Sequence, residues 1–246
     1  SDGQIMFLAT SNTAGNVSHS LDRGATWHEE LAADEVGYSN WASVACSGDG
    51  QCVLAGRRSE GNTLYGKIFH TIDGGANWHE EFPAGAVMKS WCHVAMSGDG
   101  QVMLVISDLN YNVHPTGRLY LTTNGGSTWT EQVPAGNADK WWVGIAVSTD
   151  GTNLLAVEHD KRFWHSVNSG ASWHEEYMFT GADRAWDNCA VNEDGIVMMA
   201  AVHGDGNPLG VYLTSNSGTD YALADLSADP LHLYNHSWYG LSISDN

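Results

Sequence analysis

Residues 20 to 27 read Ser-Leu-Asp-Arg-Gly-Ala-Thr-Trp, and residues 71 to 78 read Thr-Ile-Asp-Gly-Gly-Ala-Asn-Trp. The phrase recurs as Thr122-Thr-Asn-Gly-Gly-Ser-Thr-Trp129, as Ser166-Val-Asn-Ser-Gly-Ala-Ser-Trp173 and, worn, as Thr214-Ser-Asn-Ser-Gly-Thr-Asp-Tyr221. An internal repeat of this kind constrains the fold more than any composition does. The pattern also has a mechanical meaning. A short Asp or Asn side chain bonds nearby backbone N–H groups, Gly takes positive φ, and the aromatic tucks beneath. Each boxed turn is therefore read as a rigid hairpin tip.

A second phrase alternates with the first: Trp41-Ala-Ser-Val-Ala-Cys-Ser-Gly-Asp-Gly, Trp91-Cys-His-Val-Ala-Met-Ser-Gly-Asp-Gly, Trp142-Val-Gly-Ile-Ala-Val-Ser-Thr-Asp-Gly, Trp186-Asp-Asn-Cys-Ala-Val-Asn-Glu-Asp-Gly and Trp238-Tyr-Gly-Leu-Ser-Ile-Ser. Asp-Gly between two apolar runs marks a hairpin. Each unit of roughly 50 residues thus holds four short strands, and such periods mean propellers or solenoids. The last repeat stops at Ser244-Asp-Asn246 where Asp-Gly should follow, and the chain begins Ser1-Asp-Gly-Gln. This predicts one domain over residues 1–246, an all-β, five-bladed β-propeller. Its C-terminal strand is innermost in a blade shared with residues 1–30, which leaves no edge open.

The boxes resemble the Asp-box, or bacterial neuraminidase repeat, of sialidase-like propellers and propeller lectins, and the resemblance covers the whole chain. In that family the boxes are structural turns away from the ligand face, so the resemblance speaks to fold and leaves function to the other loops.

Charge and topology say where to look. The chain carries 29 Asp and Glu against 10 Lys and Arg, a net charge of −19, which argues against nucleic acid and anionic membrane as partners. No apolar run is long enough to span a membrane. With no signal peptide or initiating Met, we expect a soluble, processed or trimmed chain, extracellular or secreted. In an up-and-down blade the strand 2–3 loops and the blade-to-blade loops share one face. Arg57, Arg58, Lys67, Arg118, Lys161 and Arg162 fall in or beside the first kind, and Lys89, Lys140 and Arg184 in the second, leaving only Arg23 for the opposite face. Trp41, Trp91, Trp142, Trp186 and Trp238 open the inner strands at that same mouth, with Trp141, Tyr38, Tyr111, His114, Phe163 and His236 in or beside the loops.

Flat rings beside polar and basic groups suit a pyranose, which presents both a C–H face and hydroxyls. The candidate ligand-binding set is therefore Trp41, Arg58, Lys89, Trp91, Arg118, Lys140, Trp141, Trp142, Arg162, Arg184, Trp186 and Trp238, for a glycan partner with a tilt towards acidic sugars. A Trp recurring in every repeat is also what inter-blade packing requires, and acidic residues in the same loops can pair with the bases.

Other chemistry is thinner. His19, His70 and His165 precede three boxes, and His28, His79 and His174 follow the same three, as cross-strand neighbours would. Imidazole pairs suit zinc, copper or nickel, but stacked structural pairs account for them, and no zinc motif is present. Cys46 and Cys52 flank one Asp-Gly hairpin at positions open to a disulfide; Cys92 and Cys189 read as buried apolar residues. A sialidase-type clamp could draw on Arg57 or Arg58, Arg118, and Arg162 or Arg184, with a carboxylate pair from Asp108, Glu158, Asp183 or Asp187. The family's Phe/Tyr-Arg-Ile-Pro stretch is missing and nothing singles these groups out. No catalytic residue, metal or cofactor is assigned. Three classes remain: a lectin-like module, a glycan-active enzyme with one pocket, and a protein-interaction ring. Sites repeated around the ring should reuse side chains, whereas the 2–3 loops differ in every repeat.

Overall fold

The computed structural model describes residues 4–12, 15–31, 39–59, 66–85, 87, 89–108, 117–159, 162–176, 185–203, 210–215 and 222–223. They form two compact units, Ser1–Gln132 and Val133–Asn246, and every regular element among them is a strand. In the first unit, β1 (Met6–Ala9) is followed by the two-residue β2 (Ser11–Asn12), β3 (Val17–Ser20) and β4 (His28–Leu31). Strands β1, β3 and β4 make the first sheet, while β2 pairs with β5 (Ser39–Cys46). That strand opens the second sheet, completed by β6 (Val53–Arg57), β7 (Ile68–Thr71) and β8 (His79–Glu81). The third is β9 (Ser90–Met96), β10 (Met103–Asp108), β11 (Leu119–Thr122) and β12 (Thr130–Gln132). In the second unit, β13 (Trp142–Val147), β14 (Leu154–Glu158), β15 (Phe163–Ser166) and β16 (His174–Glu176) form the fourth sheet. The fifth is β17 (Ala185–Val191), β18 (Met198–His203), β19 (Gly210–Thr214) and β20 (Ala222–Leu223). All pairings are antiparallel and, β2 apart, run in the order that the repeat predicts. The expected closing strand from Trp238 onwards lies outside the described residues.

Four boxed turns share one hydrogen-bond scheme. At the second, Thr71 Oγ1 donates to Asp73 Oδ1 (2.7 Å) and accepts from the Gly75 N–H (3.2 Å), while Asp73 accepts from the Asn77 backbone (2.9 Å) and side chain (2.8 Å). Ser20–Asp22–Gly24–Thr26, Thr122–Asn124–Gly126–Thr128 and Ser166–Asn168–Gly170–Ser172 repeat it. The fifth box lies outside the described residues. Two consecutive left-handed residues close each turn, Gly74 and Gly75 at φ 69° and 101°; Arg23 (60°) and Ser169 (52°) occupy the position where Gly is the unstrained choice. Each of these four boxes is then tied to the residue that follows an Asp-Gly pair in the sequence: the N–H groups of Arg23, Gly74, Gly125 and Ser169 donate to the carbonyls of Gln4, Gln51, Gln101 and Thr152.

The inner strands carry a device that alternation alone does not reveal. In all four sheets the register slips just after the Trp, so that Trp41, Trp91, Trp142 and Trp186 are each followed by one bulged residue. A bulge shifts the facing of the rest of the strand by one residue. Trp41 and Val44 consequently share a core, as do Trp91 and Val94, and Trp186 and Cys189. These cores fill the spaces between neighbouring sheets within each unit: Trp41 meets Val17 of the first sheet, Trp91 meets Leu54 and Ile68 of the second, and Trp186 meets Leu155 and Val157 of the fourth. Each of these indoles also sets edge-on against an aromatic two strands away, Phe69, Tyr120 and Tyr212 respectively.

Two alternatives that the sequence leaves open are narrowed. Trp41, Trp91, Trp142 and Trp186 are 3–5% exposed, too little for a sugar platform, and the bulge turns Trp41, Trp91 and Trp186 into the sheet-to-sheet packing. Cys46 and Cys52 are both free. Cys46 stands opposite Val53, and the Ser47 N–H donates to the Cys52 carbonyl, so the two thiols leave opposite faces of the sheet. Cys92 and Cys189 are buried, as expected.

Removing a buried indole should therefore act on stability: Trp91→Ala and Trp186→Ala are each expected to cost about 3–5 kcal/mol in denaturant unfolding. The boxes predict an acid limb. Donation from Thr26 and Ser20 holds Asp22 at about 2, and donation from Asn77 and Thr71 does the same for Asp73, from an ordinary value of 3.8. Carboxylates with a lowered folded pKa contribute stability above the unfolded value and lose it as pH falls through the folded one. Asp73→Asn, which copies Asn124 and Asn168, should flatten the decline in urea midpoint between about pH 4 and pH 2.

Candidate functional site

Basic residues at the ends of the second and third strands were the strongest sequence pointer, and the structure sorts them into different roles. Lys67, Arg118 and Arg162 each stand one residue before the third strand of their sheet and bond a glutamate on the fourth: Lys67–Glu80 at 2.9 Å, Arg118–Glu131 at 2.8 Å and Arg162–Glu175 at 2.9 Å. Asn16 donates to Glu29 at the same place in the first sheet (3.0 Å). These are diagonal cross-strand neighbours. Arg118 and Arg162 are thereby paired with carboxylates on the outer strand of their sheets. The signal was present in Glu80, Glu131 and Glu175, one residue beyond the position following each box.

Within the first unit, a more enclosed group forms where the second sheet meets the third. The Arg58 N–H donates to the Asn40 carbonyl (2.9 Å), the Ser59 N–H donates to Ser90 Oγ (3.2 Å), and Gly66 bridges to the backbone of Lys89. This brings Arg57, Arg58 and Lys89 to one end, and Arg57 is only 7% exposed. His93 belongs to the same neighbourhood. Desolvation, helped by the charge of Arg58, pushes its imidazole down to about 4, so it is neutral at physiological pH.

In the second unit the corresponding end differs in chemistry. The Trp141 indole lies flat on the His159 imidazole, with ring centroids 3.6 Å apart and planes 5° from parallel. The His159 N–H donates to the Trp141 carbonyl (2.7 Å), and the Trp186 N–H to the His159 carbonyl (2.8 Å). Beside the stack, Lys140 Nζ lies 3.8 Å from the carboxylate of Glu158, whose residue is 5% exposed. Trp141 keeps partial exposure. The register explains why this cluster is unique among the described sheets. Trp141 occupies the position of Asn40, Ser90 and Ala185, and Glu158 that of Arg57, Ser107 and Val202. Arg184, Lys161, Trp238, Tyr38, Tyr111, His114, His236 and Asp183 lie outside the described residues.

A third group sits by the boxed turns. His19 and His28, His70 and His79, and His165 and His174 are directly paired across strands, as the sequence suggests. What sequence reasoning missed is a glutamate two residues further on, Glu30 and Glu81, that reaches the imidazoles: His19 Nδ1–Glu30 at 2.6 Å, His70 Nδ1–Glu81 at 3.2 Å and His79 Nε2–Glu81 at 3.0 Å.

No family model matches this sequence, and no curated protein matches it. Solved structures do. A GH74 xyloglucanase from Xanthomonas campestris is 16% identical with a TM-score of 0.62, covering 90% of this chain and 36% of that one. YCF48 bound to D1 peptide is 14% identical with a TM-score of 0.54, covering 95% and 83%. TolB from Acinetobacter baumannii is 13% identical with a TM-score of 0.60, covering 90% and 52%. This chain thus spans about a third of the xyloglucanase and about half of TolB. At such identities the likeness shows the fold alone: an all-β arrangement of antiparallel sheets of the β-propeller kind.

The surroundings of His93 bear on stability. A histidine whose folded pKa is about 4, against an ordinary 6.5, is protonated first in the unfolded chain, so stability is full above pH 6.5 and falls as pH drops towards 4. His93→Gln should reduce the difference in urea midpoint between about pH 7 and pH 4.5 relative to wild type.

Proposed function

We propose that the chain is a carbohydrate-binding, lectin-like β-propeller with its sugar site at Lys140, Trp141, Glu158 and His159. In this proposal the five sheets are five blades, the boxes are Asp-box turns, and the strand from Trp238 closes the ring against β1. The repeated boxes and the Asp-Gly sequence of the first residues support that arrangement. The observation that carries the function is the Trp141–His159 stack beside the Lys140–Glu158 pair. An aromatic surface takes the C–H face of a pyranose, while an ammonium and a carboxylate at its edge bond hydroxyls. Because the four described inner-strand indoles are buried, this is one distinctive site and not a ring of equivalent pockets. Glu158 balances Lys140, which favours a neutral, hydroxyl-rich glycan over an acidic one. An extracellular or secreted setting fits that ligand.

The structural neighbours include one protein named as a xyloglucanase and one solved with a peptide bound. They support the use of this fold on either kind of ligand and choose neither. No catalytic pair is assigned: Glu158, the candidate carboxylate whose side chain is described, is engaged by Lys140.

A glycan array of neutral, sialylated, sulfated and uronic-acid ligands tests the proposal. Retention of a few related sugars is expected, with Trp141→Ala weakening it about tenfold or more, equivalent to ~1.4 kcal/mol, and unfolding unchanged to within about 1 kcal/mol. A blank array, or binding indifferent to Trp141→Ala, overturns it.

A further inference from the structure

We propose that His70, His79 and Glu81 form a binding site for a zinc-type divalent metal ion, independent of the sugar site. All three ligand atoms lie within 4.8 Å of one another, and no other such group occurs among the described residues. Glu81 Oε1 faces both imidazoles, His70 Nδ1 at 3.2 Å and His79 Nε2 at 3.0 Å. A tetrahedral zinc with bonds of about 2.0–2.1 Å needs its ligands about 3.3 Å apart, so a small turn of one imidazole brings the set to coordination distance. His79 has that freedom, with its side chain 55% exposed, whereas His70 at 1% and Glu81 at 11% are held. The exposed side also leaves the fourth position open to water.

The surroundings are those of a ligand set whose orientation is prepared from behind. Trp129 Nε1 donates to Glu81 Oε2 at 2.9 Å, which leaves Oε1 directed at the imidazoles. Cys52 Sγ lies 3.8 Å from His70 Nε2. A proton on Nε2 aimed at that sulfur places the lone pair on Nδ1, the atom facing Glu81. Metal-bound histidines and carboxylates are commonly oriented in this way. Gly126 completes the cradle, since a Cβ there would come within 2.7 Å of Glu81 Oε1.

The repeat supplies an internal comparison. In the third sheet the same three positions are Leu121, Thr130 and Gln132, and the strands pair in the same register. The hairpin therefore does not need two imidazoles and a carboxylate to fold. His19, His28 and Glu30 repeat the residue types with the rings 5.6 Å apart, against 4.9 Å for His70 and His79.

The test is calorimetric titration of the full chain with zinc chloride after dialysis against a chelator. One zinc per chain with a Kd in the micromolar range is expected, and His79→Ala and Glu81→Gln should each weaken it about tenfold or more. His79→Ala removes an exposed side chain, and an unchanged circular dichroism spectrum confirms that the fold persists. Substituted cobalt should give the visible absorption of a four-coordinate site in wild type and lose it in both variants. No binding at about 0.1 mM zinc overturns the proposal, as does a zinc that survives both substitutions.

Discussion

The structure depends on one packing event repeated in three of the described sheets: an indole at the start of the inner strand, turned by a bulge into the space against the preceding sheet. Short antiparallel sheets stacked face to face must bury both surfaces, and strict alternation would give the inner strand one apolar face of residues two apart. The bulge after Trp41, Trp91 and Trp186 changes that spacing to three, so the indole and the apolar residue three positions on enter one core. With about 3–5 kcal/mol at stake for a buried Trp and total stabilities of only about 5–15 kcal/mol, a single position of this kind decides whether a unit stays folded.

The turns do the complementary work at the opposite end of the strands. Each box satisfies its own backbone with an Asp or Asn and a hydroxyl, then bonds the neighbouring Asp-Gly turn. Asp22, Asp73, Asp49, Asp99 and Asp150 all have lowered pKa values from such bonds. Part of the net charge of −19 is thus structural and sits at hairpin tips. The bases tell the same story, since Lys67, Arg118 and Arg162 answer glutamates on the adjacent strand. Charge composition bounded the partners of this chain without locating a site.

What distinguishes one sheet from the next is then the informative part. Trp141 and Glu158 stand where the other sheets have unrelated residues, and with His159 they form a stacked, charged cluster. His70, His79 and Glu81 stand where the third sheet manages with Leu121, Thr130 and Gln132. In a repeat protein the shared residues maintain the fold, and the residues that break the repeat are where specific chemistry can reside.

Strand order, hairpin positions and the boxed turns were legible in the sequence because they rest on local rules: Gly at positive φ, Asp bonding its own turn, alternation of apolar residues. The pairing of His70 with His79 was legible for the same reason, since both flank one hairpin. The roles of the aromatics and bases were not. Trp91 and Trp141 both read as candidate ligand residues in the sequence, yet one is a buried wedge and the other a partly exposed stacking surface, because Trp141 stands one residue before the repeat-position Trp142 and successive strand residues take opposite faces. Arg118 had several acidic residues in the loops as possible partners until the register placed Glu131 diagonally across from it. Glu81 carried no signal until Trp129, 48 residues away, fixed one of its oxygens. Local hydrogen bonding, and with it the strands and turns, is written in the order of the residues, because each such bond spans only a few positions. Burial and choice of partner depend on register and on contacts between sheets, which join residues far apart in the chain and exist only once it has folded.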